Sequence, residues 1–379
     1  MQQRIYFDNA ATTPIDPAVV ESMMPYLTTH FGNPSSIYSY GREAKIAIEL
    51  ARKSVAKILN AAPAEIFFTS GGTESINTAL HCAINCLDCT HIISSPIEHH
   101  ATLHTIEYIN VTKNIPIHYL QINEKGNIDL ENLENVLQNC VGKTVICLMH
   151  ANNEIGNLIN INKISNLKKK YNAIFICDTV QTVGHFPIDL QNIEIDFITA
   201  AAHKFHGPKG VGMLYINKKN AVKPFIHGGS QERSMRAGTE NIYGIVGFAK
   251  ALEIATQHLE KDMQYITDLK NYAYQQLLKN IPTLQFNGNV LEKSLYTLLN
   301  FQIPKNDKTD MLLFNLDIQH ICVSSGSACS SGASQISHVI KCMCNTDNFI
   351  PIRISFSKYN TNAEIDIFVH TLKQLIINN

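Results

Sequence analysis

Residues 173–204, AIFICDTVQTVGHFPIDLQNIEIDFITAAAHK, hold two short apolar runs, and each stops at a chemically active side chain. Ala173 to Cys177 stops at Asp178, and Phe197 to Ala202 stops at His203-Lys204. Short, fully apolar runs between helix-like segments are the mark of strands buried on both faces of a mostly parallel sheet. A carboxylate at the end of such a strand is costly unless a cationic group meets it. A lysine there is rare and often reactive, because desolvation lowers its pKa. Taken singly, Asp178 would also serve as an ordinary helix N-cap.

The same grammar extends in both directions from this stretch. Residues 65–69, 91–94 and 144–149 are further apolar runs, and Gly210 to Ile216 follows the lysine. The run at 65–69 leads into Ser70-Gly71-Gly72-Thr73-Glu74, where glycines and a helix start suit a phosphate, although the same residues make a common turn. The run at 91–94 leads to Glu98-His99-His100, and 144–149 leads to His150-Ala151-Asn152-Asn153-Glu154. Ligands of open α/β sheets bind beyond the carboxyl ends of the strands. Five polar strand ends in one sheet have no easy structural explanation. Together they meet the needs of pyridoxal phosphate (PLP): a Schiff-base lysine (Lys204), an acid for the pyridine nitrogen (Asp178) and a phosphate cradle (Gly72, Thr73). His99 would lie over the ring, with Gln181 and Asn153 at its oxygen edge.

The rest of the chain bounds the answer. Its 379 residues exceed one compact core, so two domains are expected: 15–255 as a large PLP-binding domain, and 1–14 with 256–379 as a small one. Ala44 to Leu59 shows a helical stripe, 245–280 a long helix stopped by Pro282, 295–303 and 350–356 strands, and 362–377 a terminal amphipathic helix. The fold class is α/β, a large mixed, mostly parallel sheet domain with a smaller α+β domain.

A net charge of −1 speaks against a nucleic-acid binder, and Lys168-Lys169-Lys170 is expected to be a solvated helix end. The N-terminal residues carry no apolar signal, and no segment is long enough to span a membrane, so a cytoplasmic location is expected. The ten cysteines are then thiols. Cys82, Cys86 and Cys89 fall on a helix-like segment where packing explains them better than a metal, and Cys342-x-Cys344 is too tightly spaced for a structural zinc pair.

The motifs in order resemble, almost end to end, the cysteine desulfurases among fold-type-I PLP enzymes of the class-V aminotransferase family. They are YFDNAATTPIDP (6–17), FGNPSS (31–36), FFTSGGTES (67–75), EHHA (98–101), MHANNEIG (149–156), CDTVQTVG (177–184), AAHKFHGPKG (201–210), GGSQERSMRAGTEN (228–241) and SSGSACSSG (324–332). The resemblance implies that Lys204 carries the cofactor, Asp178 pairs with the pyridinium, Gln181 bonds the phenolic oxygen and His99 stacks on the ring and shares in proton transfer. It gives the phosphate to Gly72, Thr73 and His203, with Thr239 reaching that of a neighbouring subunit in a homodimer. Asn33, Asn153 and Arg353 face the substrate L-cysteine, Arg353 as the carboxylate clamp.

Cys329, in a small and polar loop, is implied to be the nucleophile that ends as a persulfide. It would serve an acceptor such as an iron–sulfur scaffold protein, and would be a transient ligand of a 2Fe-2S cluster. One departure stands out: relatives commonly carry Ser where this chain has Ala201, and the lost hydrogen bond to the phosphate is expected to cost about 1.5–3 kcal/mol of cofactor binding. Aminotransferases and selenocysteine or cysteine-sulfinate lyases of this fold can do without the Cys329 loop, so its presence favours desulfuration. A sulfur-relay scaffold without catalysis is disfavoured by the intact Lys204, Asp178, His99 and Cys329.

Overall fold

In the computed structural model, residues 4–306, 309, 311–326, 337–343 and 348–377 are described; Cys329 and Cys344 lie outside them. The elements in chain order begin with β1 (Ile5–Tyr6), α1 (Pro17–Thr28), α2 (Ser39–Ile58), β2 (Ile66–Thr69), α3 (Gly72–Asn85), β3 (Cys89–Ser94) and α4 (His100–Lys113). Then come β4 (Ile117–Tyr119), α5 (Leu130–Asn139), β5 (Lys143–Met149), α6 (Ile161–Lys170), β6 (Ile174–Asp178), β7 (Phe197–Ala201) and β8 (Gly212–Ile216). The remainder is α7 (Ile242–Gln257), α8 (Leu259–Asn280), β9 (Gln285–Phe286), β10 (Leu298–Pro304), α9 (Leu312–Ile318), β11 (Ile321–Cys322), α10 (His338–Met343), β12 (Phe349–Ser355) and α11 (Asn362–Ile377).

The central sheet has seven strands in the order β2-β8-β7-β6-β5-β3-β4. Only β8 runs against the others, antiparallel to both β2 and β7. The mixed, mostly parallel sheet therefore stands as the apolar runs predict. Strand alternation sends Ile146, Leu148, Phe175 and Cys177 to one face, under α2, α6 and α7. Val145, Cys147, Ile174 and Ile176 go to the other, under α3 and α4. Both faces are dry, and each large apolar side chain so buried contributes about 1.5–3 kcal/mol. Because β2, β3, β5, β6 and β7 share one direction, their carboxyl ends emerge along a single rim.

A second core forms around the antiparallel sheet β12-β10-β9. Phe7, Leu277, Phe301, Ile354 and Phe368 meet there under α8 and α11. The N-terminal segment joins this core, since β1 pairs with β11 and Asp8 bridges to Ser355.

Two expectations change. The helix expected over 245–280 is two helices meeting at His258, whose φ and ψ of −107° and 9° leave the helical region. α7 packs on α1 and α2 while α8 packs on α11, so the chain turns where it passes from one core to the other. Lys168 is not solvated: it is buried, 3.2 Å from Glu194 and 3.1 Å from Asp196, whereas Lys169 and Lys170 stay exposed. The short strands β1, β4, β9 and β11 carry too few residues to show a period.

Candidate active site

Where the five polar strand ends emerge there is a cavity of about 260 Å³. β2 and the start of α3 bring Gly72 and Thr73, β3 brings His99, and β5 is followed by Asn153. β6 delivers Asp178 and Gln181, and β7 delivers Ala201, His203 and Lys204. Arg353 reaches in from β12, so the second core closes the cavity against the first.

At one end α3 opens with an uncapped N-terminus, its N-cap being Gly71 with no side chain to accept from the first turn. Such an end offers unpaired N–H groups and the positive pole of the helix to an anion. A Cβ at Gly72 would lie 2.7 Å from Val180 Cγ2, so a larger residue there would have to displace that methyl group. Beside it His203 is held by Thr12, Nδ1 to Oγ1 at 3.2 Å. Burial, reinforced by the charges of Lys204 and Lys209, lowers the His203 ring to about 4, so it is neutral at neutral pH. Ala201 contributes no hydroxyl to this end.

At the other end Asp178 is fixed in place, its Oδ1 accepting from Val180 N–H at 3.0 Å and from the Thr199 hydroxyl at 3.1 Å. Gln181 is oriented by donating Nε2–H to Ala10 O at 3.0 Å. His99 caps α4: Ala101 N–H donates to its Nδ1 at 3.0 Å. That bond leaves the ring proton on Nε2. Burial lowers the His99 pKa; the Asp178 charge opposes this, and Lys204, His100 and His338 add to it. Lys204 Nζ donates to Ala10 O at 2.6 Å and to Ala11 O at 2.9 Å.

The Arg353 guanidinium is 1% exposed. Its Nη2 pairs with Asp8 Oδ1 at 2.7 Å and its Nη1 donates to Asn153 O at 2.7 Å. Its Nε has no partner among the described residues. A buried donor left unpaired is costly, and a ligand carboxylate would satisfy it. The uncapped helix end, the anchored carboxylate, the strand-end lysine and the orphaned Nε together fit PLP and an amino-acid carboxylate.

One residue expected at the site, Asn33, is elsewhere in the chain's own fold, and Thr239, expected to serve a neighbouring subunit, is outside the cavity too. Asn33 is exposed, its Oδ1 accepting from Ser35 N–H at 2.9 Å. Thr239 lies in a separate hollow with Thr69, Gly210 and Arg236. Cys329 is outside the described residues. Sequence reasoning missed Ala10 and Ala11, whose carbonyls hold Lys204, and Asp8, the partner of Arg353. A buried arginine demands an acid, and the N-terminal YFDNAA motif supplies it. Glu98, read from the sequence only as one of the polar residues after β3, is pushed up to about 8 by burial against the Ser95 hydroxyl that favours its charged form, with the Asp178 charge adding to the rise.

Comparison with known proteins agrees with this geometry. The chain is 40% identical over 380 residues to a cysteine desulfurase IscS of Dictyoglomus turgidum, covering 99% of this chain and 95% of that one. Its fold superposes on a NifS-like protein with a TM-score of 0.91 and 36% identity, covering 99% of both chains. It also superposes on SspA in complex with cysteine, with a TM-score of 0.79 and 31% identity over 95% of this chain and all of that one. The model of the family described as aminotransferase class-V matches residues 5–368, and on these likenesses the chain belongs to the class-V aminotransferase family, among its cysteine desulfurases.

Proposed function

We infer that this chain takes the sulfur of L-cysteine onto Cys329, releasing L-alanine, and passes it to an acceptor. The observation that carries this is the meeting of Lys204, Asp178 and Arg353 in one cavity. Ser324, Gly326 and Ser337, described residues on either side of the segment holding Cys329, lie against residues at or next to that cavity. Arg353 and Ser324 exchange backbone hydrogen bonds at 2.7 and 3.1 Å. A side chain at Gly326 would meet Glu154, and the Ser337 hydroxyl donates to the same carboxylate. Glu154 follows the cavity residue Asn153 directly.

PLP, when bound, supplies an electron sink for the pair left as the substrate Cα–H breaks. Gly72, Thr73 and His203 would hold its phosphate, Asp178 its ring nitrogen, Gln181 its oxygen edge and His99 its face. Arg353, which lines the cavity, would receive the substrate carboxylate and fix Cα there. The Lys204 amine carries the Cα proton, and the His99 Nε2–H stands ready as a second donor. The Cys329 thiolate forms a bond to the substrate sulfur as the Cβ–S bond breaks; the bonding pair stays with Cβ, which takes a proton to become the methyl group of alanine, and Cys329 is left as a persulfide. An acceptor thiol, such as that of an iron–sulfur scaffold protein, then takes the outer sulfur. In that handover we assign a 2Fe-2S cluster, as cargo, to Cys329; the likeness to IscS supports this.

The working unit we assign is a homodimer. Phe31 and Ile37 are 69% and 89% exposed, and Met24, Leu27, Tyr38 and Leu50, on α1, α2 and the loop between them, are exposed apolar side chains as well. Such exposure favours a protein partner. Thr239, outside its own cavity, is then available to a neighbour's phosphate. We also divide the chain into 15–255 and 1–14 with 256–379, supported by the two cores. A cytoplasmic location is supported by the described cysteines, all eight of which are free. No helix among the described residues is long and apolar enough to cross a membrane.

Single-turnover release of alanine from L-cysteine tests the reading. Wild type is expected to form one alanine per active site and Cys329→Ala none, with the cofactor absorbance of both intact. Alanine from the variant, or none from PLP-loaded wild type, overturns it.

A further inference from the structure

At the amino-terminal side of the same sheet, away from the cavity, three side chains from three segments converge. His91 lies near the start of β3, His118 in the edge strand β4 and Cys140 at the end of α5, just before β5. One potential ligand atom from each lies within 4.8 Å of the others, and all three residues are half-buried. His91 Nδ1 is 3.1 Å from His118 Nε2, and Cys140 Sγ is 3.7 Å from that same nitrogen. We propose that His91, His118 and Cys140 form a binding site for a divalent transition-metal ion of zinc type.

The distances suit such an ion. Tetrahedral zinc, with bonds of about 2.0–2.1 Å to nitrogen and about 2.3 Å to sulfur, sets its ligands about 3.4 Å apart for N–N and about 3.6 Å for N–S. The two measured edges are within a few tenths of an ångström of these. Two imidazoles and a thiolate are the donors that zinc, cobalt and copper prefer over magnesium or calcium. His91 is also oriented from behind. Its Nε2 is 3.1 Å from Val141 O, which places the ring proton on that side and turns Nδ1 inward as a lone pair. The pairing of β3 with β5 shifts register between Cys89 and His91, an irregularity at the strand position that carries the ligand.

The half-exposed position leaves a fourth site to water. Binding would release one proton, from the Cys140 thiol, while the His118 ring proton moves to Nδ1. No electron transfer is involved. The ion would clip the edge strand β4 to β3 and to the α5–β5 junction, and none of its ligands lines the catalytic cavity.

The test uses PLP-loaded full-length protein stripped by a chelator and titrated with Co²⁺, then Zn²⁺. A Cys329→Ser background removes the other thiolate expected to compete. One Co²⁺ per chain is expected, with a thiolate charge-transfer band and tetrahedral d–d bands, both erased by one equivalent of Zn²⁺. Cys140→Ser and His118→Ala should weaken binding by at least about tenfold and abolish the thiolate band, while Cys82→Ser leaves it unchanged. Retained PLP absorbance shows that each variant is folded. A chain that gives no thiolate–cobalt band, or one whose band survives Cys140→Ser, overturns the proposal.

Discussion

Two of the lysine amines withdrawn from bulk solvent, Lys204 and Lys270, share a local chemistry: both donate to backbone carbonyls, whereas the buried Lys168 pairs with acids. Lys204, after β7, donates to the carbonyls of Ala10 and Ala11. Lys270, midway along α8, donates to Leu295 O at 2.6 Å and meets Ser294 Oγ at 2.8 Å. Lys270 is the more deeply buried, 3% exposed, and burial lowers its pKa to about 7. By desolvation alone it would be the better candidate for a reactive amine. Yet Lys204 faces a cavity with Asp178, His99 and an uncapped helix end, while Lys270 ties a helix to the loop before β10. A withdrawn amine becomes chemistry only where room for a ligand and complementary charge accompany it.

Substitutions can break or sharpen that contrast. Lys204→Ala is expected to lower alanine formation by about 10³-fold, as for loss of a general acid–base group, and to erase the absorbance of the lysine-bound cofactor. Activity within an order of magnitude of wild type would remove Lys204 from its role. Next, Ala201→Ser restores a hydroxyl at the phosphate end, and PLP should bind about tenfold tighter or more. An unchanged dissociation constant would mean the neighbouring donors already saturate the phosphate.

The smallest effect on turnover is expected from Lys270→Met, which should leave kcat within about twofold because no ligand group is lost. Its signature lies in stability. The folded pKa of Lys270 is below its unfolded value, so between about pH 7 and about pH 10.4 the unfolded chain binds the extra proton. Stability from this residue is fully present above that window and is lost as pH falls towards 7. Denaturant melts across the window should show wild type gaining stability with pH relative to the variant. Parallel curves would refute the assignment.

Much of the site was legible because strands bury in period two and end at the rim. The apolar runs at 144–149, 173–177 and 196–200 located β5, β6 and β7, and the polar residues just past them are the ones that line the cavity. The long helix over 245–280 was misread because both halves are helix formers, and the break at His258 answers to packing against different cores. Lys168 was misread because a charge run says nothing about the acids a distant loop will bring to it.

The sequence by itself determined the main buried strands and the chemical groups that follow them, since these are set by neighbours within a few residues. Tertiary structure decided the rest. It set Arg353 on Asp8 across 345 positions of chain, and it gathered His91, His118 and Cys140 from separate segments. It also sank Lys270 into a core. Such meetings depend on which element packs on which. That choice is settled by the burial of whole faces, and the identity of a single residue does not record it.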